Sequence, residues 1–266
     1  MNGLSLHYLE WGDEPNPPIL LLHGFLSQAF IWQGLASSLS RNYRVLALNQ
    51  RGHGQSDWSR QGDYSIDDHF ADLVCFLEEL NLTDVILVGH SMGGRNALFY
   101  AACRSERIKK LILVDARPGN SQQSVQALKQ MLDFAEISAL EIESFVTEAN
   151  EQYPQLSLKS AFEKIRPDVH QTTTAEHDPW LVVASQLAEN QVEDLWPFMK
   201  NVNCPTLIIR GETSTFVSPS DVEDMCRIIP NAEGAVIPQA GHLPMLENSS
   251  SFHRVILAFI TGNRSV

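Results

Sequence analysis

Long apolar runs, paired cysteines, basic stretches and metal-binding signatures are all missing from this chain of 266 residues. No stretch approaches the roughly 18 consecutive apolar residues that a membrane-spanning helix needs, which excludes helical spans. Cys75, Cys103, Cys204 and Cys226 lie far apart with no C-x-x-C, so neither a zinc site nor a disulfide framework is expected. Their apolar neighbours predict buried thiols. Lys and Arg number 19 against 32 acids, for a formal charge of −13. A phosphate backbone is held by a basic stripe, so nucleic acid is excluded as a partner, and the charge reads as that of a soluble protein. H-E-x-x-H and GK[ST] are absent, leaving no metalloprotease helix and no phosphate loop. The opening "MNGLSLHYLEWGDEPNPP" has neither the basic start nor the apolar core of a secretory signal, so the expectation is a cytoplasmic protein. In that setting the N-x-[ST] sequons at Asn81 and Asn248 carry no meaning.

What is present is alternation. Short, β-branched apolar runs at Pro17 to Phe25, Tyr43 to Gln50, Asp84 to His90, Lys109 to Ala116, Pro205 to Gly211 and Glu233 to Pro238 read as strands covered on both faces. Helical stretches separate them: Ala29 to Ser40, Ile66 to Leu80, Met92 to Cys103, Ser220 to Ile229 and Glu247 to Thr261. In the second, Phe70, Leu73, Val74, Leu77 and Leu80 share one face. "LSLHYLEWG" reads as an antiparallel edge strand or hairpin arm. The pattern predicts an α/β fold with a mostly parallel central sheet and helices on both faces. From 117 to 200 no strand appears, only apolar residues at helical spacing such as Val125, Leu128, Met131, Leu132 and Ala135. An inserted helical cap over residues 117–200 is expected, on a core formed by 1–116 and 201–266, because a structureless loop of that length is improbable.

One motif carries chemistry. "DVILVGHSMGGRNAL" ends a strand at Gly89 and opens a helix at Met92, leaving Ser91 on a tight, strained turn. Gly89 and Gly93 remove side chains that would collide there, and Gly94 lets the helix press against the sheet. G-H-S-M-G in this context is a nucleophile elbow that lifts the Ser91 hydroxyl above the strand ends. A serine hydroxyl is a poor nucleophile unaided and needs a base. His242, in "IPQAGHLPMLEN" on the last strand-to-helix connection, is brought over the same edge of the sheet. An oxyanion needs backbone donors: Met92 offers its free N–H at the start of its helix, and Phe25 offers the other at the end of "ILLLHGF".

With "LLLHGF", "RGHGQSDW", "GHSMGG", "VNCPTLIIRGE" and "AGHLPMLE" in order and spacing, nearly the whole chain resembles the α/β-hydrolase superfamily, in particular its small esterase-like members with a helical cap. Gly52 and Gly54 then shape the turn in "RGHGQS", and Asn49 stands where many members have aspartate. The resemblance implies a catalytic acid between nucleophile and histidine in chain order. Members most often carry it in a G-x-x-D pattern after the strand equivalent to "PTLIIRG". Here "GETSTF" puts Ser214 at that place, and a serine cannot stabilise imidazolium as a carboxylate does. Some relatives place the acid at the end of the preceding core strand, where "LILVDA" has Asp115. Asp115 is the preferred candidate, Glu212 the alternative, with a carboxylate from elsewhere, or none, still open.

The resemblance implies hydrolysis of small to medium carboxylic esters, thioesters or lactones through an acyl-enzyme on Ser91, with a small-molecule substrate and neither metal nor organic cofactor. A serine nucleophile sets the chain apart from relatives that use aspartate. Phe134, Phe145, Phe162, Trp180, Leu181 and Trp196 are candidates to line the cap pocket or to pack within it. Arg117 is expected to pair with a cap carboxylate in preference to a substrate acid, and "HDP" at His177 to Pro179 resembles the segment where the cap returns to the core. A carbon–carbon bond hydrolase, a peroxide-using enzyme of the same site, and a slow-turnover ligand-binding member are the alternatives.

Overall fold

A computed structural model describes residues 2–134, 177, 178, 181 and 193–263, with single positions at 147, 151 and 155. Seven strands form one sheet: β1 (Tyr8–Trp11), β2 (Pro18–Leu22), β3 (Arg44–Leu48), β4 (Val85–His90), β5 (Ile108–Val114), β6 (Thr206–Gly211) and β7 (Ala232–Ile237). Their order is β1-β3-β2-β4-β5-β6-β7, with β1 antiparallel to β3 and every other pair parallel. Because β3 lies on one side of β2 and β4 on the other, the chain reverses direction at the β2/β4 pair. That switch opens a crevice beyond the carboxyl ends of those two strands, where ligands of open α/β sheets bind.

The helices are α1 (Gln33–Leu39), α2 (Ile66–Glu79), α3 (Met92–Cys103), α4 (Gln122–Phe134), α5 (Pro219–Ile228), α6 (Pro244–Glu247) and α7 (Ser249–Thr261). Strand residues alternate between two cores, as a period of two requires. Leu20, Leu22, Leu46, Leu48, Leu87, Leu111 and Leu113 face α2, α3 and α5, whereas Ile19, Leu21, Val45, Ala47, Val88, Ile112 and Val114 face α1 and α7. Reciprocal capping boxes start α2 at Ser65 with Asp68 and α5 at Ser218 with Asp221, each satisfying two otherwise free N–H groups.

Several expectations are refined. The stretch 29–40 divides into a 3-10 turn, Ala29–Trp32, followed by α1. The last helical stretch begins earlier and breaks at Asn248, whose side chain accepts from Ser251 N and donates to Pro238 O, so this asparagine serves as a helix cap. In α2 the expected apolar face lies on the core, with Leu73 and Leu77 buried and Phe70, Val74 and Leu80 half-buried against it, and polar residues are buried beside it. The buried residues of this helix are Ile66, His69, Asp72, Leu73, Phe76 and Leu77, Asp72 because it receives a bidentate pair from buried Arg51 at 2.5 and 2.7 Å. Of the cysteines only Cys204 is buried; Cys103, at the end of α3, is exposed. Asn49 ties two neighbouring segments to the end of β3, its Oδ1 accepting from Ala29 N at 2.6 Å while its amide nitrogen lies 2.9 Å from His7 Nδ1.

Most of the expected cap lies outside the described residues, Phe145, Phe162, Trp180 and the side chain of Phe134 among them. Both ends of the insertion are seen. Leu195 N donates to Pro118 O at 3.0 Å, and Arg95 on α3 donates to the carbonyls of Arg117 and Glu193 at 3.1 and 2.7 Å. A 3-10 segment, Trp196–Asn201, then packs Leu195 and Met199 into the core beside α3. No helix among the described residues is long and apolar enough to cross a membrane.

Candidate active site

Ser91 has φ 51° and ψ −116°, a conformation that non-glycine residues avoid and that persists only where the surroundings impose it. Here its N–H donates to Val114 O at the end of β5, and Gly93 packs so tightly that a Cβ there would lie 2.4 Å from His23 O. The side chain is thereby raised at the end of β4, in the crevice of the topological switch.

His242 reaches this place from the far edge of the sheet. The loop after β7 must cross over the end of β6, and Gly211 lets it: a Cβ at Gly211 would meet Gly241 O at 2.0 Å. Thr213 N donates to Ala240 O at 2.9 Å, and the carboxylate of Glu247 accepts from Gly241 N at 2.6 Å and Leu243 N at 2.9 Å, holding the loop on both sides of the histidine. His242 O accepts from His90 Nε2 at 2.7 Å, tying the loop directly to the elbow. That contact makes Nε2 the protonated nitrogen of His90. Burial, then the neighbouring His242, push the His90 pKa down to about 3, so its ring is neutral.

His242 Nε2 lies 3.1 Å from Ser91 Oγ, and His242 Nδ1 lies 2.7 Å from Asp115 Oδ2. The Asp115 side chain is fully buried, that of His242 is 16% exposed, and the Phe216 ring stacks on the imidazole at 3.8 Å with 21° between planes. Asp115 also accepts from Gly211 N at 3.2 Å and Ser214 Oγ at 2.6 Å. Glu212 is exposed and directed elsewhere, accepting from Gln239 N at 2.8 Å. Serine, imidazole and carboxylate thus form one hydrogen-bonded line across β4, β5 and β7.

Neither Phe25 N–H nor Met92 N–H has an acceptor among the described residues. Their loops are braced: Leu26 N donates to His53 Nε2 at 3.3 Å, and His23, with Nδ1 on Gly24 O at 2.7 Å, accepts from Gln50 N at 3.0 Å. Burial drives the pKa of His53 down to about 4 and that of His23 well below its usual range, which keeps both neutral as these bonds require.

Most carboxylates of the expected cap lie outside the described residues; the carboxylate that Arg117 meets among the described residues is one of the core. Arg117 pairs with Asp221 of α5 at 2.9 Å and lies over Trp196, 5.6 Å from the ring centroid, because the capping box leaves Asp221 Oδ1 turned toward it. Leu181 is buried against Gly52. In the "HDP" segment, buried Asp178 donates its N–H to Gly52 O at 2.8 Å and accepts from the Tyr64 hydroxyl, so this segment is fastened to the "RGHGQS" turn. His90, Gly211 and Glu247 went unassigned in the sequence, and Ser214 was noted there only as standing in place of an acid. A glycine closing a strand is the only local signal any of them carries; the others act on partners far away in the chain.

A mostly parallel sheet, a strained serine after its central strand and a histidine carried in from its last loop define a class of hydrolase. The chain belongs to the alpha/beta hydrolase fold family, whose model matches residues 17–249. It is similar to the 2-(acetamidomethylene)succinate hydrolase of Mesorhizobium japonicum, with 27% identity over 248 residues covering 90% of this chain and 85% of that one. The crystal structure of an E-2-(acetamidomethylene)succinate hydrolase superposes with a TM-score of 0.76 at 26% identity, covering 98% of this chain and 97% of the other. A thermophilic esterase from Thermogutta terrifontis superposes with a TM-score of 0.73 at 27% identity, covering 97% and 94%.

Proposed function

We propose that this hydrolase cleaves small to medium carboxylic esters through an acyl-enzyme on Ser91. The observation that carries the reading is the unbroken line from Ser91 Oγ through His242 to Asp115 Oδ2, at 3.1 and 2.7 Å. His242 Nε2 takes the hydroxyl proton as Oγ attacks the ester carbonyl, then returns it to the departing alcohol. Asp115 holds the imidazole by Nδ1–H and stabilises the imidazolium. The N–H groups of Phe25 and Met92 bind the oxyanion, a contribution worth roughly 10²–10³-fold per donor in rate. Water activated by His242 then releases the acid. Glu212 has no part in this mechanism, and the chemistry calls for no metal or organic cofactor. The 117–200 insertion is the lid that selects the acyl group, and the substrate is a small molecule met in the cytoplasm.

The test is a panel of p-nitrophenyl esters of rising chain length, with lactones, run on the parent and on Ser91→Ala. Turnover in the parent that vanishes in Ser91→Ala supports the reading; equal turnover in both removes it. The likeness to a 2-(acetamidomethylene)succinate hydrolase favours one second reading, a carboxylate-bearing substrate that is not an ester. That compound belongs in the same panel, and turnover of it above every ester would decide for this alternative.

A further inference from the structure

We propose that Ser214 is a positioning residue for the proton relay: its hydroxyl donates to Asp115 and so aims and stabilises the carboxylate that faces His242. The inference rests on the roles given above to Ser91, His242 and Asp115.

Ser214 stands at the place where the G-x-x-D pattern would put the acid, and it is buried, with its Oγ 2.6 Å from Asp115 Oδ2. Oδ2 is also the atom that faces His242 Nδ1. The direction of the hydroxyl proton follows from the other contacts. Phe216 N and Val217 N both donate to Ser214 Oγ, at 3.1 and 3.3 Å. A hydroxyl has two lone pairs and one proton, so with both lone pairs engaged the proton is left for the carboxylate. Asp115 therefore receives two donors from a single turn, Gly211 N on Oδ1 and Ser214 Oγ on Oδ2, in addition to the imidazole.

The turn is itself braced. Arg210, buried beneath it, donates to Val217 O at 3.1 Å and to Glu212 O at 3.2 Å, and lies 3.5 Å from Ser214 O. From the same turn Phe216 covers the face of the imidazole. One rigid segment thus sets the carboxylate and the ring it addresses. With Gly211 N on Oδ1, loss of the Ser214 hydroxyl would leave Oδ2 of this fully buried carboxylate with the imidazole as its one partner among the described residues and a lone pair unpaired, at a cost that grows in a low dielectric. The neutral hydroxyl removes that cost without adding a second charge.

The experiment compares Ser214→Ala, Ser214→Thr and the double variant Asp115→Asn/Ser214→Asp with Asp115→Asn and the parent, in the full chain. Steady-state kinetics on p-nitrophenyl butyrate are followed alongside thermal unfolding. Ser214→Ala is expected to lower kcat roughly 10-fold with KM little changed, the effect of one hydrogen bond to a charged group felt in the transition state. Ser214→Thr, which keeps the hydroxyl, recovers most of that loss. In the double variant a carboxylate is returned to the same side of the ring from the neighbouring position, and kcat exceeds that of Asp115→Asn by at least about 10-fold. Parental kcat in Ser214→Ala overturns the inference, as does a Thr variant no better than Ala, which would make the loss one of packing. Should Ser214→Ala fail to fold, Ser214→Cys decides, since it fills the same space with a much weaker donor, and a parental kcat there counts against the proposal. Ser91→Ala separates the two levels: turnover surviving there sinks the serine mechanism itself, whereas an inert Ser91→Ala beside an unaffected Ser214→Ala sinks only the role of Ser214.

Discussion

Adding one methyl group at Gly94 is expected to damage both stability and turnover, against the helix propensity of the residue introduced. A Cβ at Gly94 would stand 2.3 Å from Ala116 Cβ and 2.9 Å from Gly89 O. Carbon atoms rest about 3.5–4.0 Å apart, so α3 must draw away from the sheet by about 1.2 Å or more. Neither obstacle can swing aside, one being a Cβ and the other a backbone oxygen. Alanine is favoured over glycine inside a helix by roughly 0.8–1 kcal/mol, whereas overpacking of this kind costs about 1–3 kcal/mol. At a contact as short as 2.3 Å the upper end of the overpacking range applies and sterics win, leaving a net loss of about 2 kcal/mol, or a Tm lower by roughly 4–8 °C in a chain of this size. Turnover suffers more. Gly94 follows Ser91 by one turn of helix and Ala116 adjoins Asp115, so the displacement separates nucleophile from acid; catalytic groups must be held within about 0.5 Å, and 1 Å of misplacement can cost 10²-fold. Differential scanning fluorimetry and p-nitrophenyl butyrate kinetics read the two effects. Gly94→Ala/Ala116→Gly removes the 2.3 Å contact but leaves the 2.9 Å one, and recovers part of both. A Gly94→Ala protein with parental Tm and kcat would show that the helix is not pressed against the sheet, and the reasoning would fail.

Asp115→Asn should reduce kcat on the same ester by up to ~10⁴-fold with the fold intact, as an amide can hold the wrong tautomer of the histidine; circular dichroism verifies the fold, and near-parental kcat would move the acid elsewhere. Asp72→Asn leaves the buried Arg51 guanidinium with Asp68, 3.5 Å away, as its remaining carboxylate among the described residues and should cost up to about 3 kcal/mol of unfolding free energy, measured by urea titration. Stability should also fall with acid. His53, His69 and His90 have folded-state pKa values pushed down to about 4, 3 and 3, chiefly by burial, while the unfolded chain protonates near 6.5. Below 6.5 the unfolded state binds more protons, so each residue removes up to about 1.4 kcal/mol per pH unit as the pH drops toward its folded value, and adds no slope above 6.5. Urea midpoints at about pH 7.5, 6 and 5 measure this, and a flat profile below 6.5 would mean that these histidines are not held neutral.

Much of the architecture was legible because a two-sided sheet leaves a strong mark. All six runs became strands with ends within a few residues of expectation: in the five inner ones neighbours such as Leu20 and Ile19 must both be apolar because each face has its own core, whereas β7 is an edge strand, not covered on both faces as expected, and leaves Val236 exposed. The elbow was legible because its constraint is local: small residues surround Ser91 where backbones touch. The apolar face of α2 was legible but the polar residues buried beside it were not, because hydrophobic spacing is blind to an ion pair, and Arg51 lies 21 residues away from Asp72. Ser214 was read as a lost acid because a serine looks inert in its own neighbourhood; its partner is 99 residues distant. The partner of Arg117, 104 residues along, was invisible for the same reason. Breaks such as Asn248 escaped notice because a side-chain cap can interrupt a helical pattern without altering its period.

The clasp at the base of the insertion has an evolutionary consequence. Pro118 and Leu195 are joined, and Arg95 grips both limbs from the helix that begins beside Ser91. The two ends are fastened by the core, so a segment of another length can be spliced between them while the sheet sees the same anchors, and closing a longer loop adds only about 0.6 kcal/mol per doubling. The length of the joined segment and the geometry of the sheet are in this way separately heritable, one free to drift while the other stays locked in place.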